Sequence, residues 1–195
     1  MKKIAILLLC IIALGLIVSC QATNHGVALS QNKGVVGKNG IPRPDWVIYD
    51  QSTKKMHFAS GFGTSKTFEV AKQKAVLNAD AELALWIANS VTAVRDRYIE
   101  EAIVNESETY IDKFVSTATE MGNAVMSGVT EIDYWEDGDG GVWVLRAIEV
   151  ANVKAQIAAA ISATCAEPTL FSGTTDVADV MAKLNKALDE YFPAE

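Results

Sequence analysis

Alanine returns at every fourth position through Ala71, Ala75 and Ala79, and Leu83 continues the row. Side chains four residues apart share one face of a helix, so this segment predicts a helix whose contact ridge is built from very small apolar groups. Such a ridge is a weak hydrophobic anchor, but it lets the helix axis come close to a sheet, and the ridge is expected to lie directly on one. Phe68 and Trp86 extend the same stripe, Thr67 stands at the N-cap position, and Glu69 places a carboxylate at the positive end of the helix dipole. Just upstream, Met56-His-Phe-Ala-Ser-Gly-Phe-Gly63 alternates aromatic and small residues. It reads as a short strand closing on a tight glycine turn at Gly61 and Gly63. Residues 55–87 thus predict a strand with a long helix folded back over it.

Beyond Ile87 the stripe runs on through Val91, Val94, Tyr98 and Ala102, although the β-branched residues of 90–94 leave a strand open there. Residues 105–107 break the pattern. A second helix follows with Ile111, Phe114, Ala118 and Met121 in register and Gly122 as its stop. Residues 129–136 and 142–150 predict a hairpin, joined by Asp137-Gly-Asp-Gly-Gly141, whose glycines supply positive φ. In the second strand Val142, Val144 and Ile148 point one way and Trp143, Leu145 and Ala147 the other, so both faces need cover. The chain's later helices or a second subunit are the expected covers. Val150, Val153, Ile157 and Ile161 mark one later helix. After a loop at Pro168 and Gly173, a last amphipathic helix carries Val177, Val180, Met181, Leu184 and Leu188, expected to pack on the core.

The amino-terminal residues have another character. Lys2 and Lys3 precede an uninterrupted apolar run from Ile4 to Val18, and Ser19 is a small residue before Cys20. That is the form of an export signal, and 15 apolar residues fall short of the roughly 20 a membrane-spanning helix needs. Ile17-Val-Ser-Cys20 resembles the lipobox of bacterial lipoproteins. The resemblance implies cleavage before Cys20 and acylation of its sulfur and new amino terminus, and Gln21 at the next position implies an outer-membrane destination. Several acyl chains at about 0.8 kcal/mol per buried methylene hold a protein stably. Residues 21–41, rich in glycine and asparagine, read as a tether reaching roughly 25 Å. Pro42 and Pro44 end it, and Trp46, Val47 and Ile48 are expected to dock on the domain edge.

Charge narrows the partners. The chain carries a net −7, and loss of Lys2 and Lys3 with the signal leaves −9. An acidic chain without a basic patch argues against nucleic acid and against electrostatic binding to anionic head groups, so the acyl chains are expected to do the anchoring. With Cys10 removed and Cys20 acylated, Cys165 has no intramolecular partner. It is either a buried small hydrophobe or one half of an intermolecular disulfide. Gly61-Phe-Gly63 lacks the third glycine of a dinucleotide loop, and Lys66 stands in its place. Asp133, Asp137 and Asp139 lack the closing glutamate of a calcium loop. Glu100, Glu101, Glu106, Glu108 and Asp112 read as solvated helix ends. His25 and His57 have no second histidine at ligand spacing, and no serine or cysteine stands beside a base in the sequence. No catalytic, metal or cofactor residue is therefore assigned, and an enzyme is not expected.

Taken in order, the lipobox, Pro44-Asp-Trp46, the strand closing on Gly61-Phe-Gly63, the alanine helix and the strand Val142-Trp-Val-Leu145 resemble the lipoprotein-20 family of bacterial outer-membrane lipoproteins. The resemblance covers about residues 44–150. It implies a compact α+β domain, sometimes likened to dodecin, without enzymatic activity, in a family that includes flagellar-assembly proteins and surface antigens. The expected organisation is a signal peptide over 1–19, a tether over 20–43, an α+β domain over 44–165 with a small antiparallel sheet packed on helices, and a helical extension over 166–195. The expected role is that of a lipid-anchored interaction module with an envelope protein or further copies as partner. The alternative is a carrier or receptor for a small apolar ligand, suggested by Trp86, Trp135 and Trp143.

Overall fold

A computed structural model describes residues 34–101, 108–167 and 176–193. Contacts divide the chain into residues 1–35 and 36–195, and the fold below is that of the second unit. Its described elements are β1 (Met56–Thr64), α1 (Phe68–Glu101), α2 (Glu108–Val125), β2 (Thr130–Glu136), β3 (Gly141–Glu149), α3 (Val150–Cys165) and α4 (Val177–Tyr191). The three strands form an antiparallel sheet in the order β1-β3-β2, which makes the unit an α+β domain with its sheet packed on helices.

The alanine ridge lies on the sheet. Ala71, Ala75, Ala79 and Leu83 are wholly buried against it. Gly61 and Gly63, expected in a turn, are instead mid-strand residues opposite Val144 and Val142 of β3. Neither has a positive φ. Their missing side chains have a different cause: a Cβ on Gly61 would stand 2.0 Å from the Ala75 carbonyl oxygen, and one on Gly63 2.2 Å from that of Ala71. Small residues on both partners bring helix backbone onto strand backbone.

Length decides the rest. Nine strand residues span about 30 Å, whereas the 34 residues of α1 run about 51 Å. The far half of α1 therefore projects past the sheet with an apolar stripe still to cover. It stays helical through residues 90–94, so the strand left open there does not form. Val91, Val94 and Tyr98 are buried in one cluster with residues of α2, α3 and α4, and α2 and α4 pack directly on this half of the helix. Tyr98 and Tyr110 meet edge to face with their hydroxyls hydrogen-bonded. Phe114 and Ala118 of α2, Val153, Ile157 and Ile161 of α3, and Val180, Leu184 and Leu188 of α4 complete this cluster, so the last helix packs on the core as expected. Helix α2 runs through Gly122 to Val125 rather than stopping there, because helical hydrogen bonding continues into a 3-10 turn over Met126–Gly128.

The other face of the sheet has a cover the sequence reading did not name. Over Trp135 it is residues 36–49, which precede the first strand. Val36 bridges Pro42, Lys38 N–H donates to the Glu136 carbonyl at 3.2 Å, and Trp135 Nε1 donates to the Ile41 carbonyl at 3.0 Å. Arg43 lies over the Trp135 ring at 5.9 Å. Trp46, in the 3-10 turn Asp45–Val47, donates to Asp133 Oδ2 at 3.0 Å, which is the expected docking at the domain edge. The second unit thus begins at residue 36, inside the segment read as tether. In the hairpin turn only Gly140 has a positive φ, and the Asp137 carboxylate closes the loop by accepting from Gly141 N–H at 2.6 Å and Asp139 N–H at 3.0 Å. The residues read as a signal peptide, Cys20, His25, the expected break at 105–107, and Pro168 and Gly173 lie outside the described residues.

Candidate functional site

Strand β1 alternates, so Ala59, Gly61 and Gly63 face α1 and His57 shares their side at the strand's start. There the alanine ridge has given way to Trp86. The imidazole of His57 stacks on the Trp86 indole, with centroids 4.0 Å apart and planes 13° off parallel. Phe192, just past the end of α4, meets the same indole edge-on at 6.3 Å, and Tyr191 packs edge-on against Phe192 at 4.6 Å. Tyr191 is positioned from two sides: its hydroxyl accepts from Ser90 Oγ at 3.3 Å, and the Arg97 guanidinium lies 5.2 Å over its ring.

These aromatic groups wall a pocket of about 770 Å³. Its remaining walls are the loop before β1 (Thr53, Lys54, Lys55, Met56), the start of α3 (Glu149, Val150, Ala151, Lys154) and Pro193. That volume lies in the range of small-molecule sites, which are mostly apolar with a few placed polar groups. The rim is held by backbone contacts. Val150 N–H donates to the Lys55 carbonyl at 2.9 Å, tying β1 to α3, and Lys154 Nζ donates to the Phe192 carbonyl at 2.8 Å while pairing with Asp189 at 2.9 Å. The last pair fastens the carboxyl end of α4 to α3 and so sets the position of Phe192.

The loop ahead of β1 brings Ser52 beside His57, an arrangement the sequence spacing did not reveal. Ser52 Oγ lies 3.0 Å from His57 Nδ1, and the Ser52 N–H donates to Asp50 Oδ1 at 2.8 Å. The same hydroxyl accepts from Phe58 N–H at 3.0 Å, so it stands in for a neighbouring strand at the outer edge of β1. Burial lowers the His57 pKa from its ordinary 6.5, and the charge of Asp50 works against that shift. Hydrogen bonds from Ser52 lower the Asp50 carboxyl from its ordinary 3.8. Neutral imidazole suits a ring stacked on indole and half withdrawn from water.

A second pocket of about 410 Å³ lies between residues 46–51, β1 and α1, and His57 and Trp86 line it too. Of the three tryptophans read as a possible ligand set, only Trp86 reaches either pocket. Trp135 is buried under Ile41 and Arg43, and Trp143 rests against Phe62 with centroids 4.8 Å apart. His57, Met56, Tyr191 and Phe192 were not foreseen as neighbours. Among the described residues no group of His, Cys, Asp and Glu is arranged to hold a metal ion, and no helix is long and apolar enough to cross a membrane. Cys165 is half-buried, and burial raises its thiol pKa.

The fold and site define an α+β domain with an aromatic pocket at the junction of sheet and helices. No protein-family profile, no curated protein and no solved structure matches the chain.

Proposed function

We propose that this is a non-enzymatic lipoprotein of the bacterial outer membrane, anchored by acyl chains on Cys20, whose folded unit is a binding module for a small, largely apolar ligand. The pocket walled by His57, Trp86, Tyr191 and Phe192 carries the ligand half of this reading. Its aromatic lining is of the kind that removes an apolar ligand from water, and the polar groups at its mouth are few. The lipobox-like Ile17-Val-Ser-Cys20 supports the anchor, and the ordered resemblance to the lipoprotein-20 family supports an envelope role, flagellar assembly included.

Native mass spectrometry of the full-length protein taken from its own membrane tests the ligand. A small apolar adduct is expected on the wild type and is expected to be lost from Phe192→Ala; an unliganded wild type overturns the reading. Labelling with palmitate tests the anchor separately. Wild type is expected to take label and sediment with membranes, and Cys20→Ser to do neither.

A second reading, a module that binds an envelope protein or its own copies, is favoured by the outer face of α1. Val70, Leu77, Leu85 and Ile99 stand there between about four- and six-tenths exposed, along a helix of about 51 Å. Light scattering from the lipidated protein in mild detergent discriminates: a dimer or larger assembly that Leu77→Glu dissociates favours self-association over a ligand-only role.

A further inference from the structure

We infer that the ligand carries a hydroxyl on its apolar body, as a long-chain alcohol does, and that His57 Nε2 hydrogen-bonds it. This rests on the ligand-binding reading above and adds to it the head group and the residue that holds it.

The His57 ring has two polar atoms, and the fold uses one of them. Nδ1 lies 3.0 Å from Ser52 Oγ, and among the described residues Nε2 has no hydrogen-bond partner. One ring face is stacked on the Trp86 indole, and the Nδ1 side is turned to Ser52 at the outer edge of β1. The ring therefore offers the two pockets it lines its other face and the edge that carries Nε2. The remaining polar side chains around the larger pocket are already engaged or stand in water. Thr53 Oγ1 accepts from the N–H groups of Lys55 and Met56, Lys154 Nζ is held by Asp189 and the Phe192 carbonyl, and the Tyr191 hydroxyl accepts from Ser90. Lys54 and Glu149 are exposed, and Lys55 has an interaction of its own. Nε2 is left for a ligand. Burial keeps the ring neutral, so one nitrogen carries a proton and the other a lone pair. If Ser52 donates to Nδ1, Nε2 is the donor; if Nδ1 donates to Ser52, Nε2 is the acceptor. A hydroxyl satisfies either arrangement, because it donates as well as accepts, whereas an ester oxygen only accepts and an alkane does neither. A charged head would surrender its hydration without a free counter-charge to meet it.

Bromine quenches a neighbouring indole, so terminally brominated dodecanol and bromododecane, which differ by the hydroxyl alone, both report on Trp86. They are titrated against the full-length protein in lipid nanodiscs at a pH well above 6.5, with Trp86→Phe protein as the blank for partition into lipid and for the other tryptophans. His57→Phe keeps a ring on Trp86 and removes Nε2. Each ligand partitions into lipid equally whichever protein is present, so partition cancels when the ratio of the two half-saturation concentrations is compared between proteins. That ratio, bromododecane over brominated dodecanol, is expected to fall about fivefold from wild type to His57→Phe, the size of one net hydrogen bond. In wild-type protein made with isotopically labelled histidine, where His25 and His57 are the only histidines, the His57 Nε2 resonance is expected to move with the alcohol and to stay in place with the alkane. An unchanged ratio, or a resonance that the alcohol does not move, overturns the head-group inference and leaves ligand binding standing. A quench that Trp86→Phe does not remove, from both ligands, overturns both.

Discussion

At Gly61 the hydrogen that replaces a side chain is a structural requirement of the helix above. An added Cβ would meet the Ala75 carbonyl oxygen at 2.0 Å and the Ala79 amide nitrogen at 2.4 Å, and backbone atoms have no rotamer by which to escape. Gly61→Ala is therefore expected to cost about 3 kcal/mol, the upper part of the range for overpacked cores. With a urea slope of about 2 kcal/mol/M, the midpoint falls by about 1.5 M at unchanged slope. Gly128→Ala is the control: its nearest neighbour would be 3.8 Å away, and a change within about 0.5 kcal/mol is expected. The alanine ridge could be read from the sequence, but the reason for the glycines beneath it could not, because the clash involves helix atoms eight to 18 positions along the chain. His57 makes a second case. Its folded pKa lies below 6.5, so as pH falls through 6.5 the unfolded chain takes up the proton first and stability drops until the folded pKa is passed. The lowered Asp50 acts in the same direction at more acid pH, since its contribution is present above about 3.8 and is lost as pH falls through its folded pKa. A proton NMR titration is expected to place the His57 midpoint below 6.5, and Asp50→Asn to lower it further by removing a favourable charge. A midpoint at or above 6.5 in the wild type contradicts the burial argument.

Element by element, β1 is the strand most in need of protection, because it forms one edge of the sheet and its outward residues are those at even positions. Met56 is capped by Thr53 and Phe58 by Ser52. Farther along, Asn78 Nδ2 donates to the Phe62 carbonyl at 2.7 Å and Lys74 Nζ to the Thr64 carbonyl at 3.1 Å. Two polar side chains of α1 thus reach over the edge their own helix covers, which blocks pairing with another chain's strand. Removing them together, Lys74→Ala with Asn78→Ala, is expected to leave the fold intact and raise self-association, read as an apparent mass in light scattering that climbs with concentration. A mass that stays at the wild-type value at every concentration refutes the guarding role. Elements were legible where periodicity ran long: the first half of α1 and α4 follow from spacing, and the hairpin from its strands and glycine-rich turn, whereas the β-branched residues of 90–94 left a strand open in what is one helix. The cover over Trp135 was legible only at Trp46; residues 36–43 have no period, and the hydrogen bonds of Ile41 and Lys38 reveal them as part of the domain. The pocket was hidden for a related reason. His57, Trp86 and Phe192 are far apart in the chain, and only the return of α4 along α1 joins them.

For the molecule as a whole, α1 and β3 are shared by both apolar clusters, β3 through Val142 and Val144 in one and Ile148 in the other, and α1 is the longer of the two. Its first half closes over Val142 and Val144 of the sheet through Ala71 and Ala75, and its second half carries Leu83 to Tyr98 into the helical cluster with Leu184 and Leu188. The sheet cluster is small and made largely of alanine and valine, so at about 0.8 kcal/mol per buried methylene it contributes less than the helical one. It is expected to borrow stability along the continuous hydrogen bonding of α1. Leu184→Ala, at a site wholly inside the helical cluster, is expected to cost about 3 kcal/mol. That loss is expected to reach the sheet: tryptophan fluorescence, which includes Trp135 and Trp143, and helical circular dichroism are expected to give coincident urea transitions in both proteins, shifted together in the mutant. The same coupling links the pocket to the core, because α4 supplies both Leu184 and the chain end that carries Tyr191 and Phe192. If fluorescence of the sheet tryptophans instead keeps its wild-type midpoint while the helical signal falls early, the two clusters unfold separately, and α1 is a bridge that transmits no stability from one to the other.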